Sequence, residues 1–90
     1  METSYLPNSV MLETLAKVQP MQMEIVKTGR SAHLDCGVHS VDGHISFDLT
    51  VFCDLEIVRQ FEFSSLGTAG ELEEELACLE AYVKRIKAEM

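Results

Sequence analysis

This 90-residue chain predicts an α+β fold in the order α-β-β-β-β-α. The expected layout is a four-stranded antiparallel meander, with a short N-terminal helix and a long C-terminal helix packed on one face. Three observations lead there. The last third, Thr68 to Met90, carries a capped amphipathic run. The middle of the chain alternates apolar and polar residues with period two. Two glycine-containing reversals, Gly29-Arg30 and Asp42-Gly43, punctuate that alternation.

The C-terminal helix organises the rest. Thr68-Ala69-Gly70-Glu71 matches a capping box, in which the Thr68 hydroxyl accepts from the Glu71 N–H and the Glu71 carboxylate reaches back. Leu72, Leu76, Leu79, Val83, Ile86 and Met90 then recur at alternating spacings of four and three, a period of 3.5. Glu71, Glu73, Glu74 and Glu75 crowd the first turns, and Lys84, Arg85 and Lys87 the last, so both ends complement the helix dipole. Glu80 and Lys84 are spaced for an i,i+4 pair. The apolar stripe has two uses. It can lie on a sheet as core, or Leu72, Leu76, Leu79, Val83 and Ile86 can form the seam of a homodimer.

Upstream, Pro7-Asn8-Ser9 offers a turn and an N-cap. Met11, Leu15 and Val18 share a helical face, and Pro20 pushes Gln19 out of the helical region. A short helix over Ser9–Val18 is expected. Met21, Met23 and Ile25 then alternate with Gln22, Glu24 and Val26 as a first strand. Gly29-Arg30 suits a type II′ turn, which sets Ile25 opposite Leu34, Met23 opposite Cys36 and Met21 opposite Val38. Asp42-Gly43 suits a type I′ turn, pairing Val38 with Phe47, Cys36 with Leu49 and Leu34 with Val51. A longer loop would slide this register without moving any side chain to the other face.

Cys53-Asp54-Leu55 reverses the chain once more. A three-residue loop pairs Val51 with Ile57, Phe47 with Phe61 and Ile45 with Phe63, and aims Arg59 inward opposite Leu49. A bulge near Val58 would swing Arg59 outward. The apolar face needs a cover, and the long helix is the large one available.

Composition sets bounds. Ninety residues at 47% hydrophobic and 24% charged describe a single globular domain over 1–90. No apolar run is long enough to span a membrane. Met1-Glu2-Thr3-Ser4 lacks the basic start of a signal peptide, and three cysteines without CxxC fit a reducing compartment. A cytoplasmic protein with free thiols is expected. The net charge of −8 is spread along the chain, which argues against nucleic acid and anionic lipid and permits a basic protein surface as partner.

Chemistry-bearing residues are few. His33, His39 and His44 are expected on the outer sheet face with Asp35 and Asp48, without the spacing of a structural zinc site, so no metal or cofactor is assigned. Cys36 should point inward as a small hydrophobe. Cys53 lies in a turn and Cys78 flanks the helix stripe, neither beside a base in sequence. No nucleophile elbow, phosphate loop or dinucleotide fingerprint is present, so no enzyme is expected. The sheet-plus-helix layout resembles a class of single-strand DNA binders, but the basic groove and stacking aromatics such binding needs are missing.

The densest feature is the carboxylate run. Glu71, Glu73, Glu74 and Glu75, with Glu80 beyond, form the expected docking surface for a Lys- or Arg-rich partner. In size and charge the chain resembles small acidic inhibitors encoded by phages, anti-CRISPR proteins among them. That resemblance implies a viral inhibitor acting by protein contact. The functional expectation is a non-enzymatic protein-binding module, an inhibitor or adaptor. The alternative is a homodimeric accessory protein.

Overall fold

The computed structural model describes residues 5–38 and 43–89. The fold is α+β, in the order α1 (Asn8–Lys27), β1 (Ser31–Val38), β2 (Ile45–Cys53), β3 (Glu56–Phe63) and α2 (Ala69–Ala88). Among the described residues the sheet is antiparallel with three strands, not four, in the order β1-β2-β3.

The missing strand is the second half of α1. Met21–Val26 continues the helix straight through Pro20. The reason is a heptad that the period-two reading passed over. Met11, Val18 and Ile25 are seven residues apart and all fully buried, with Thr14 buried between them. Met23, which a strand would have turned inward, is 57% exposed. A proline inside a helix costs about 3 kcal/mol, and full burial of one residue like Ile25 returns about 1.5–3 kcal/mol. Two further contacts add to the second half. The Gln22 amide donates to the Ala32 carbonyl at 3.0 Å, and Glu24 pairs with Lys87 of α2 at 3.4 Å. Pro20 is solvent-exposed, so the Ala16 carbonyl it leaves without a backbone donor can bind water.

Gly29 has φ +92°, as the reversal expected there requires, but it ends a helix instead of turning a hairpin. Its N–H donates to Val26 O and the Thr28 N–H to Ile25 O, both at 3.0 Å. The pairing of Met21, Met23 and Ile25 with β1 therefore does not exist.

Between β1 and β2 the pairing is Val38 with Ile45, Cys36 with Phe47 and Leu34 with Leu49, two residues from the expected register. Each side chain keeps its expected face. The Asp42 half of the second turn lies outside the described residues. Gly43 has φ +67°, and its carbonyl accepts from the Asn8 amide at 2.8 Å. Asn8 Oδ1 accepts from the Ile45 N–H, so one side chain ties the start of α1 to the start of β2. The third reversal is a tight two-residue turn, Asp54-Leu55, with φ +53° and +71°. Leu55 there is 97% exposed.

Strand β3 carries the bulge at Val58 that is the alternative to a regular strand, so the expected pairs of Val51 with Ile57 and Phe47 with Phe61 do not form. Phe52 pairs with Ile57 and Val51 with Arg59, which leaves Val58 without a cross-strand mate. Its consequence differs from the expectation. Ile57 turns to the open face at 63% exposed, while Phe61 and Phe63 pack inward. Arg59 stays on the helix side, opposite Val51, and escapes burial by stacking. Its guanidinium lies 5.0 Å from the Phe61 ring centre and 5.9 Å from that of Tyr82.

Both helices cover the same sheet face, α1 over β1 and β2, α2 over β3. The core joins Met11, Val18 and Ile25 to Phe47, Leu49 and Val51, to Phe61 and Phe63, and to the α2 stripe. Cys36 shares the inward face by parity but is exposed, because β1 is an edge strand and Cys36 lies near its end, clear of the helices.

At the far end Glu24 bridges Lys27 at 3.5 Å and Lys87. Lys27 first and Lys87 second hold its carboxyl below the ordinary value of 4.5. A depressed carboxylate stabilises the fold above its unfolded value and loses that contribution as pH falls through the folded one. Glu24→Gln should therefore lower Tm at neutral pH. The gap to the parent should close in scans taken progressively below pH 4.5.

Candidate functional site

Helix α2 runs antiparallel to β3 along the open edge of the sheet. The contacts show the direction: Glu75 meets Glu62, and seven residues later Tyr82 meets Phe61 and Arg59. The Thr68 hydroxyl accepts from the Glu71 N–H at 3.1 Å, the first half of the expected capping box; among the described residues the return bond from the Thr68 N–H to the Glu71 carboxylate does not form. The Glu71 carboxylate curls back over Gly67, where a Cβ would lie 2.6 Å from its Oε2.

Glu75 does not behave as a solvated patch residue. Its Oε2 accepts from the Glu62 N–H of β3 at 2.9 Å. Glu62 opposes Asp48 at a position whose N–H points away from the sheet, so this bond closes part of an exposed strand edge. Gln22 does the same for Ala32 on the other edge. Glu75→Ala should cost about 1 kcal/mol, the usual worth of such a bond. Amide exchange at Glu62 should quicken with it, and unchanged exchange there would mean the bond does not guard the edge.

The carboxylate run is divided by the helix. Glu71, Glu74 and Glu75 face β3 and, with Glu62, line a groove of about 310 Å³ that ends at Cys78. Glu73 faces the other way, into a cleft of about 140 Å³ shared with Glu13 and Lys17 of α1. Glu80 is exposed further along, and among the described residues it makes no ion pair with Lys84. Three of the five expected docking residues therefore converge, and two do not.

Sequence reasoning missed the other end of the groove. Beyond Cys78 it continues as a cavity of about 250 Å³ lined by Arg59, Ala81, Tyr82 and Arg85. The Arg85 guanidinium lies 5.3 Å from the Tyr82 ring centre, on which Arg59 also stacks. Arg30, the remaining arginine, lines the adjoining cavity and pairs with Glu89 at 3.3 Å. Among the described residues neither Arg59 nor Arg85 has a carboxylate partner, in a chain with 15 acids. The signal that could have found this end was the helical spacing of Glu71, Glu74, Cys78, Ala81 and Arg85.

The apolar stripe lies within the chain's own core. Leu79 and Ile86 are essentially inaccessible, Leu72 and Val83 are buried, and Leu76 packs partly buried against them. A dimer seam on that stripe would have to displace the sheet and α1.

The histidines do not assemble. His33 is on the open face as expected, with Nε2 at 3.4 Å from Asp35 Oδ1. His44 is buried, not outward, and stacks on Tyr5 with ring centres 4.0 Å apart. Its place just before β2 puts it under the incoming N-terminal segment. His39 lies outside the described residues. Among the described residues no three metal-ligating side chains come together. Cys53 pairs with Glu56 and points to the helix side, whereas His33, opposite Thr50, points to the open face. Those two form no nucleophile–base pair.

No helix among the described residues is long and apolar enough to cross a membrane. No protein-family model, no curated protein and no solved structure matches this chain.

Proposed function

We propose that this chain is a non-enzymatic protein-binding module of the cytoplasm, an inhibitor or adaptor, and that its acidic groove receives cationic side chains of a basic partner. The observation that carries this is the convergence of Glu71 and Glu74 of α2 on one groove walled by the Glu62 backbone, where no lysine or arginine among the described residues pairs with them. Two carboxylates one helical turn apart on α2 offer neighbouring acceptors, which suits recognition of guanidinium groups. Glu75, already bonded to the backbone, supports the groove wall.

A synthetic arginine-rich peptide of about a dozen residues is a sufficient probe, since screening confines such contacts to about 10 Å at moderate salt. Its amide shift changes should concentrate at Glu62, Glu71 and Glu74. The double variant Glu71→Lys/Glu74→Lys should bind at least about tenfold more weakly, with an unchanged circular dichroism spectrum. Equal perturbation of Glu13, Asp35 and Asp48 would reduce the effect to diffuse attraction and refute the groove.

A further inference from the structure

We infer that the protein surface this groove fits is that of a second copy of the same chain, docked antiparallel about a twofold axis at Cys78. The inference rests on the groove being a protein-binding surface and names its occupant.

Glu71, Glu74, Cys78, Ala81 and Arg85 are spaced three and four apart, so they form one line along the flank of α2, and all five are exposed. This line is separate from the buried stripe. It is acidic at one end and basic at the other, with Cys78 midway. A half-turn about Cys78 carries position 71 onto 85, 74 onto 82 and 75 onto 81. Glu71 of one copy then meets Arg85 of the other, and the reverse contact forms by symmetry.

Strand β3 runs alongside α2 across the same axis. Glu62 sits beside Glu75, and Arg59 beside Tyr82. The half-turn also carries Arg59, on the helix side of β3, toward the Glu71–Glu75 end of the partner helix; the Glu62 side chain, opposite Asp48, faces the open side of the sheet and takes no part. Each charged end lies about 10 Å from the axis, seven residues of helical rise. Cys78 and Ala81 at the centre are small enough to let two helices approach closely.

A purely cationic partner would fill one half of the groove and leave Arg59 and Arg85 facing it. A second copy matches both halves and supplies each arginine with the carboxylate it lacks within its own chain. Self-pairing and capture of a basic partner then compete for the same carboxylates.

Sedimentation across a dilution series should show the weight-average mass rise from 10.1 kDa toward twice that value. Arg85→Glu should weaken association at least about tenfold, because the symmetric face meets the change twice. Glu71→Arg should do the same. The exchanged pair Glu71→Arg/Arg85→Glu should regain association to within about threefold of the parent. A second measurement covers a variant that folds poorly. In Cys36→Ser/Cys53→Ser, a short bismaleimide should join Cys78 to Cys78, and not when Arg85→Glu is added.

A monomer at every concentration overturns the inference, as does a charge exchange that fails to restore the dimer. A monomer that still binds the arginine-rich peptide at Glu62, Glu71 and Glu74 removes the dimer and keeps the groove. A dimer restored by exchange, with diffuse peptide binding, keeps the dimer and removes the basic partner.

Discussion

Phe61→Ala should destabilise the protein by about 3–5 kcal/mol, the usual cost of emptying a buried phenylalanine site. Phe61 is 1% exposed and pairs with Leu49, which is fully buried on the central strand. Its ring sits 5.7 Å from that of Tyr82, tilted, with the Arg59 guanidinium above it. The cavity would thus open where β3, β2 and α2 meet, and neither ring nor guanidinium can collapse into it without leaving the other. A domain of this size holds about 5–15 kcal/mol in total, so the variant should lose a large share of its stability and show a clearly lowered urea midpoint.

The informative control is Ile57→Ala on the same strand. Four residues apart, Ile57 and Phe61 would share a face in an unbroken strand. With Val58 bulged, Ile57 faces solvent and its removal should cost no more than about 0.5 kcal/mol. Urea midpoints for the two variants therefore read the bulge directly. Equal losses would mean that the strand is regular and the register is wrong.

Much of this fold was legible because several local signals agreed. In α2 the cap, the apolar stripe and the charge gradient all point to one helix, and its start and inward face follow. In β1 and β2 the alternation assigns faces whatever the loop length, so Leu34, Phe47 and Leu49 were placed correctly while their register slid by two. Gly29 shows where legibility stops. Its positive φ was readable, but a hairpin turn and a helix C-terminus both ask for it, and only the preceding segment decides.

That segment carries two periods at once. Met21, Met23 and Ile25 alternate, while Met11, Val18 and Ile25 recur by sevens. Pro20, a helix breaker by residue type, favours the shorter pattern when the letters alone are weighed. The site was half legible for a related reason. A run of glutamates looks like one patch in a line of letters, yet the helix sends Glu73 to one side and Glu71 and Glu74 to the other. Arg59 and Glu62 join the groove only through the β3 register, which depends on a bulge that no residue type announces.

Pro20→Ala should stabilise the protein, by about 1–3 kcal/mol. The substitution restores an N–H that can donate to the Ala16 carbonyl and removes the ring's clash with that turn, a defect worth about 3 kcal/mol in a helix interior. Part of the gain is offset in the unfolded chain, where losing proline frees backbone conformations worth about 0.4–1 kcal/mol. Position 20 is exposed, so no core contact is disturbed. The sign is what discriminates. If Met21–Val26 were a strand beginning after a helix-ending proline, alanine there would loosen the boundary and lower stability. Because Met11, Val18 and Ile25 already hold one continuous helix against the sheet, alanine removes a defect that their burial now overcomes. Chemical denaturation with helical ellipticity as the signal should show a higher midpoint and slightly more helix. A lower midpoint would restore the strand and break α1 at Gln19.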